Sequence, residues 1–478
     1  MKRFFLTLVL LGVCVLPSSA QSVIDSPRAE RSPQVAEDGS GNRLLVFRTG
    51  SQNVRLMGQW LSSSPSDTFL IAHSADEPSV TVLSDGRFIV AYSVETPDSL
   101  LDVEAAVLSF PATSVDERIA LDAIRSETQA APDVAAHPDG GFRAVWHAWD
   151  RDDGDRAILY RGFDTSLSPT AAPVVLNQRT RYSQAYPQIS IGSSGLECVV
   201  WMQWDVVASR FWSYDIVGAS RPLGGSWSGD IVLHDRRTTH QLLPDVATDD
   251  TYCLGTWSSW GQDGDESGII GRLFTTDGPQ SDEIVINTTT DGYQWNSRVA
   301  FAPPNAWIVS WSGYTSAEAR EDLYVRVLPK FLNGSAPEIP LTPSEPGFQF
   351  EPSIVVSGSS VDIYYTSDEG TDDVGRVMHT RLTEVATYAE VLPDQDHLLR
   401  GPIYPNPATS AVTLPLVHAS RPIEVTLYDA LGRALDRRVL AVPTHQFSYD
   451  RPSDLPSGVY WLVVSDGNLR ETHSLIIP

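Results

Sequence analysis

Three tryptophans, Trp149, Trp204 and Trp260, each stand three residues after another tryptophan, giving W-x-x-W three times. Five glutamines, Gln129, Gln184, Gln241, Gln294 and Gln349, recur at a similar interval. Planar aromatics stack on sugar rings and amides supply directional hydrogen bonds, so the two sets together suit a neutral carbohydrate. The competing reading is structural. Each glutamine would satisfy backbone groups of a nearby turn, and each second tryptophan would cover a sheet edge. Periodic recurrence favours the structural role, because one binding site seldom needs the same residue in every repeat.

Other chemistry is weaker. The acidic runs Asp150, Asp152, Asp153, Asp155 and Asp263, Asp265, Glu266 offer oxygen ligands of the kind calcium takes. Neither has the D-x-[DN]-x-[DN]-G spacing with a distal glutamate, and acidic chains carry many such runs as solvated loops. No cofactor is therefore expected, and calcium is the one these residues could hold. Gly224 to Ser228 (GGSWS) misses G-x-S-x-G at its last place. His137, His147, His234 and His240 lie in separate repeats, without an evident acid partner. Paired carboxylates for cleaving a polysaccharide would be assembled only by the fold, and none of the 60 Asp and Glu stands out.

These residues are positioned by a repeat. From Ala131 to Gln184 the chain has four short apolar runs divided by turn signals: a His-Pro-Asp-Gly-Gly turn, an acidic loop and a Ser/Pro-rich turn. Such runs read as strands. Pro33, Pro78, Pro132, Pro187, Pro244 and Pro352 open the copies, with Ser297 in the same place in the sixth. Phe47, Tyr92, Trp146, Trp201, Trp257, Trp311 and Tyr365 follow them, roughly 13 to 14 residues on. The interval of roughly 45 to 57 residues is that of a propeller blade and too short for a row of β-sandwiches. The expectation is an all-β chain with a seven-bladed β-propeller over residues 21–393. Either Ser22 to Asp25 or Tyr388 to Pro393 could complete the last blade, and the second is preferred.

Residues 1–20 read as a signal peptide: Lys2 and Arg3, then the apolar Phe4 to Leu16, then a small-residue cleavage site before Gln21. No later segment is long and apolar enough to span a membrane as a helix. The formal net charge is −26, and Lys2 and Lys330 are the only lysines, which argues against nucleic acid or an anionic membrane as partner. Cys198 and Cys253 remain after cleavage. They sit three and four residues before their blade tryptophans, and this one-residue offset points them to opposite faces. Two free buried thiols are expected rather than a disulfide.

Two stretches resemble known families. PDGGFRAVW (Pro138 to Trp146), TWSSWGQDGDESGIIGRLF (Thr256 to Phe274) and EIVINTTT (Glu283 to Thr290) resemble a repeat of large secreted bacterial proteins, with DGGFxxxW, GQDG and ExxVNT motifs. That family implies a secreted β-repeat protein and no common chemistry. After a linker at 394–401, residues 402–478 resemble the C-terminal sorting domain of the type IX secretion system of Bacteroidetes-like bacteria. The motifs are Tyr404, Pro405, Asn406 and Pro407; then Tyr428, Asp429, Gly432 and Arg433; then Pro456 to Tyr460, with Gly458. The resemblance implies a small Ig-like β-sandwich read by the type IX machinery and removed by a sortase-like peptidase. It also implies attachment of the passenger to the cell surface, or release.

Three functions follow as expectations. The first is a secreted or surface-attached binder of glycan or protein. The second is an extracellular polysaccharide-degrading propeller enzyme, a glycoside hydrolase or lyase. The third is a structural surface protein. The balance leans to the non-catalytic binder.

Overall fold

The structure is a computed structural model. It describes residues 21–22, most of 30–382 and most of 403–477; residues 1–20, 23–29, 383–402 and some short loop segments lie outside the described residues. The expected signal peptide, linker, Tyr404 to Pro407 and Gly432 fall among the latter.

All the described regular structure is β. The chain runs as successive antiparallel meanders in which each strand pairs with the next. Four are separate four-stranded sheets, spanning 30–73, 75–120, 129–175 and 184–232. The meanders at 241–285, 293–340 and 348–382 are joined into one sheet by single parallel bridges, Ser267 to Tyr293 and Glu321 to Phe348. Short Val-, Ile- and aromatic-rich strands between Gly- and Asp-containing turns explain the pattern.

A meander of this kind is apolar on both faces and must be covered on both. The cores lie between successive meanders. One holds Leu44 and Val46 with Phe88 and Tyr92; another holds Val145 and Ile158 with Val199 and Trp201. The series returns on itself, since Val35, Leu45 and Phe47 share a core with Val355, Tyr364 and Val377. The stack is therefore a closed β-propeller, which leaves few open sheet edges.

Side chains alternate faces along a strand. Every repeat aromatic, from Phe47 to Tyr365, sits in the core shared with the preceding meander. That alternation corrects the expectation for the cysteines, which form a disulfide with Cα atoms 6.0 Å apart. Trp257 and Cys253, four residues apart, both face backwards. Cys198, three residues from Trp201, faces forwards. Both cysteines lie in the same inter-sheet core. Opposite faces, read as a bar to pairing, are what two stacked sheets need in order to be bridged.

The ring closes at the strand Gly375–Leu382, whose free edge is taken by Gln21 and Ser22, opposite His379 and Met378. This corrects the preference for Tyr388 to Pro393, a segment outside the described residues. The register had left both open, because each is a short apolar run at one end of the repeat.

The repeat opener has a backbone role that its sequence does not advertise. The residue just before it has a positive φ in each copy: Ser32, Glu77, Ala131, Tyr186, Leu243, Asn296 and Glu351, between 50° and 57°. At the same point each first strand slips register against the second, a β-bulge. Holding non-glycine residues there costs of order 1–3 kcal/mol each. Bonds between neighbouring meanders offset that cost. The N–H of the positive-φ residue is accepted by the side chain just after the previous repeat aromatic: Ala131 by Ser93 (3.0 Å), Tyr186 by His147 (3.4 Å), Asn296 by Ser258 (3.1 Å), Ser32 by Thr366 (3.3 Å). Burial, with the charge of Arg156, pushes the His147 imidazole down to about 3, so its Nδ1 is free to accept.

Residues 403–477 form a four-stranded sheet, in the order Ala434–Leu440, Ile423–Tyr428, Gly458–Ser465, Arg470–Ile477, and a two-stranded sheet of Ala411–Leu414 with Phe447–Asp450. One core lies between them, with Val412, Leu427, Tyr449, Leu462 and Leu475. The motif residues hold turns. Asp429 accepts the Arg433 backbone N–H (2.9 Å) and its guanidinium (2.7 Å), and the Tyr460 hydroxyl donates to the Pro456 carbonyl (2.8 Å).

Candidate functional site

The five glutamines do not lie open to a ligand. All are buried, at 0–1 % exposure. Four of the side-chain amides donate to carbonyls of the adjoining loop: Gln184 to Tyr182 (2.8 Å), Gln241 to Thr239 (3.2 Å), Gln294 to Asp291 (3.0 Å) and Gln349 to Pro346 (2.8 Å). Gln241 also accepts the Trp257 indole N–H at 3.0 Å. These contacts are those of turn-holding residues, and they account for the periodicity: each copy has the same loop to satisfy.

Of the second tryptophans, Trp149 and Trp260 are exposed and Trp204 is half-buried. Their backbone N–H groups tie down the preceding loop: Trp149 to Thr128 (2.9 Å), Trp204 to Ser183 (2.8 Å), Trp260 to His240 (3.0 Å). Their rings differ. Trp149 lies under the Arg156 guanidinium, 4.4 Å away, and Trp204 packs on Tyr214 with centroids 4.9 Å apart. Trp260 is half exposed and meets Tyr293 of the next meander edge-on at 6.0 Å.

Trp260 lines a sizeable cavity. It has a volume of about 400 Å³ and lies between the meanders at 241–285 and 293–340. Its walls are Leu242, Leu243, Trp260, Tyr293, Trp295 and Tyr314, with His240, Ser258, Ser267 and Glu321 as its polar members. Each wall residue is placed by the repeat. Leu243 is the positive-φ residue of its bulge, Trp295 precedes another, and Tyr314 and Glu321 pair across the second and third strands. Glu321 is 8 % exposed and accepts the Trp295 indole N–H at 2.5 Å. Burial, with the charge of Glu351 adding to it, outweighs the hydrogen bonds from Trp295 and Ser312 and pushes its carboxyl up to about 7. A mostly apolar concavity with few convergent polar groups has the form of a small-ligand site.

Of these residues, sequence reasoning had singled out only Trp260 and His240. Trp295 and Tyr293 flank Gln294 and break no rule of the repeat, and Glu321 is one acid among many. The available signal was a cluster of aromatics, Tyr293, Trp295 and Tyr314, in excess of the repeat's own requirement.

The acidic runs serve loops. Asp155 accepts the Tyr182 backbone N–H (3.0 Å), Asp263 the Asn287 amide (2.7 Å), and Asp265 the Gly292 backbone N–H (2.9 Å). Glu266 bonds Tyr293. The side chains of Asp150, Asp152 and Asp153 lie outside the described residues. Among the described residues no three His, Cys, Asp or Glu side chains converge as a metal site would require. Two histidines have acid partners that the sequence did not reveal: His137 with Asp139 (2.9 Å), and His234 with Asp215 (3.2 Å). Both imidazoles are buried, and the bulk of their contacts is structural.

Residues 402–478 match the secretion system C-terminal sorting domain, which directs proteins to the cell surface or beyond. No helix of the described residues is long and apolar enough to cross a membrane. No curated protein matches the chain. Among solved structures, the chain is similar to a PL25 ulvan lyase bound to a saccharide, with TM-score 0.50 and 11 % identity over 74 % of this chain and 94 % of that one. A protein of unknown function from Dyadobacter fermentans gives 0.47 and 13 % over 76 % and 99 %. The polysaccharide lyase Uly1 gives 0.48 and 9 % over 74 % and 90 %. At such identity the likeness to the ulvan lyase is one of fold.

Proposed function

We propose that this is an exported binding protein whose seven-bladed propeller, residues 21–393, takes an extracellular glycan in the cavity beside Trp260. The signal peptide at 1–20 leads it to the periplasm. The Ig-like domain at 402–478, joined by the linker at 394–401, is read by the type IX machinery and removed by its sortase-like peptidase, leaving the passenger attached or released. The observation that carries the binding role is the cavity itself: four aromatic side chains and one buried carboxyl enclose a volume suited to one or two sugar rings.

A glycan array probed with the chain tests this. Binding that is lost on Trp260→Ala and Trp295→Ala supports it; binding unchanged in both variants, or none with folded protein, overturns it in favour of a protein partner or a structural role. A second reading, glycan cleavage, is favoured by Glu321, whose carboxyl holds its proton to about pH 7 inside the cavity. Any glycan that binds would be incubated with the protein and examined for new chain ends; their absence leaves the binder.

A further inference from the structure

The cavity beside Trp260 is unbalanced in charge. Among the described residues its one carboxyl is Glu321, and neither lysine nor arginine lines it. Arg320, next in sequence, turns to Asp322 at 3.1 Å and to the Pro343 carbonyl at 2.6 Å. The groups that face Glu321 from the surrounding strands are the Trp295 indole, the Ser312 hydroxyl, Tyr314 across the strand pair, and Glu351 of the following meander, itself an acid. Tyr293, on the opposite wall, is bonded to another acid, Glu266. His240 stands exposed at the rim. A carboxyl so buried, with no cation among the described lining residues, holds its proton to about neutral pH.

A ligand could supply the missing charge. An ammonium group gains an ion pair with a desolvated carboxylate. It also gains the attraction of aromatic faces, strongest for tryptophan, and this cavity has two tryptophans and two tyrosines. An anionic sugar gains neither and meets the field of a chain with net charge −26. We propose that the ligand of this cavity is an amino sugar with a free amine, its ring against Trp260 and Trp295 and its ammonium against Glu321. This rests on the glycan reading of the same cavity.

The pairing makes binding pH-dependent. The ammonium requires the carboxylate, so its capture displaces the Glu321 proton, and the competent fraction shrinks as pH falls from 7.5 to 5.5. Apparent affinity scales with that fraction, a loss of roughly 25-fold for a carboxyl at about 7 and a ligand amine that stays protonated. A neutral sugar has no such requirement.

The test is calorimetric titration of the full chain with chitotriose, with its tri-N-acetyl form and with tetramethylammonium, at pH 5.5 and 7.5 and about 150 mM salt, where long-range attraction to the acidic surface is screened. Expected is chitotriose bound roughly tenfold more tightly than the acetylated form at pH 7.5, with the preference shrinking at pH 5.5. Glu321→Gln should remove the preference and keep the acetylated sugar. Equal binding of both sugars at both pH values overturns the ammonium contact and leaves the glycan reading standing. Tetramethylammonium bound as tightly as chitotriose overturns the sugar part. Silence toward all three probes overturns the proposal, whereas the glycan reading falls only if the wider array is silent too. The comparison of the two sugars on the unaltered chain decides the matter even if Glu321→Gln does not fold.

Discussion

The Asp133 carboxylate accepts the backbone N–H of Ile189, in the next meander, at 2.7 Å. Asp245 does the same for Val299 at 2.7 Å. Ser79 takes this place for Val134 at 3.2 Å, and Ser353 for Val35, also at 3.2 Å, across the closing seam. The acceptor is always the residue after the opener, and the donor is two residues after the next opener. Asp133 also accepts the Ser79 hydroxyl at 2.5 Å. Asp133→Ala would leave the Ile189 N–H and that hydroxyl without their acceptor, so a loss of roughly 2–3 kcal/mol is expected in urea unfolding. Asp133→Ser, which copies the neighbouring unit, should lose less. Equal losses would count against a specific rung.

The same residue should give the protein a pH signature. Burial, against the bonds from Ser79 and Ile189, pushes the Asp133 carboxyl up to about 6, with Asp245 contributing. Its folded value is thus above the unfolded value of about 3.9. The stability it adds is fully present below about pH 4 and is lost as pH rises through 6. Unfolding free energies of the native chain minus those of Asp133→Asn should therefore fall between pH 4 and 7. A flat difference would show that the carboxylate is not desolvated.

The disulfide joins two sheets across a core, with its ends at a sequence separation of 55. Closing a loop of that length in the unfolded chain is worth about 4 kcal/mol. The double variant Cys198→Ser with Cys253→Ser should unfold at lower urea by an amount of that order. Thiol titration of the denatured, unreduced chain from Gln21 onward should find none. Two thiols per chain would restore the sequence-based expectation.

The repeat, its period and its aromatics were legible because strand alternation and turn residues are local signals. The bulge was not, since Ser32, Glu77 and Tyr186 have nothing in common except the proline that follows them. The cysteines were misread for want of one relationship: facing sheets present opposite faces to each other. The glutamines were seen as a set, and their burial shows why a set exists. The cavity was nearly invisible, because Trp295, Tyr314 and Glu321 meet only through the packing of two meanders.

That packing separates the tryptophans by consequence. Trp260 and Trp295 line the cavity, whereas Trp149 stacks under Arg156. For any glycan that binds, Trp260→Ala and Trp295→Ala should each weaken affinity by about tenfold, an aromatic contact of roughly 1.4 kcal/mol. Trp149→Ala should change it less than about twofold. Calorimetry on the three variants checks this, and an equal loss in all three would move the site to the wider face.

The closing seam carries a charge network centred on Asp362. Asp362 is fully buried and accepts bonds from His379 Nε2 (2.6 Å), Arg381 (2.7 and 3.0 Å) and Arg43 Nη2 of the first meander (2.8 Å). Burial alone would raise its carboxyl; His379, Arg381 and Arg43 overcome this and hold it well below the ordinary range. A depressed folded value means that its stabilisation is present above the unfolded value of about 3.9 and is lost as pH falls below it. Asp362→Asn leaves Arg43 with Glu37 as its remaining described carboxylate, and a loss of about 3 kcal/mol is expected at pH 7. The variant should also lose less than the native chain on acidification from pH 5 to 3. Because Arg43 belongs to the first meander and Asp362 to the last, the loss should come with faster proteolysis near the seam. A variant as stable as the native chain at pH 7, with the same acid limb, would mean that the shared core of Phe47, Val355 and Val377 closes the ring without help from charge.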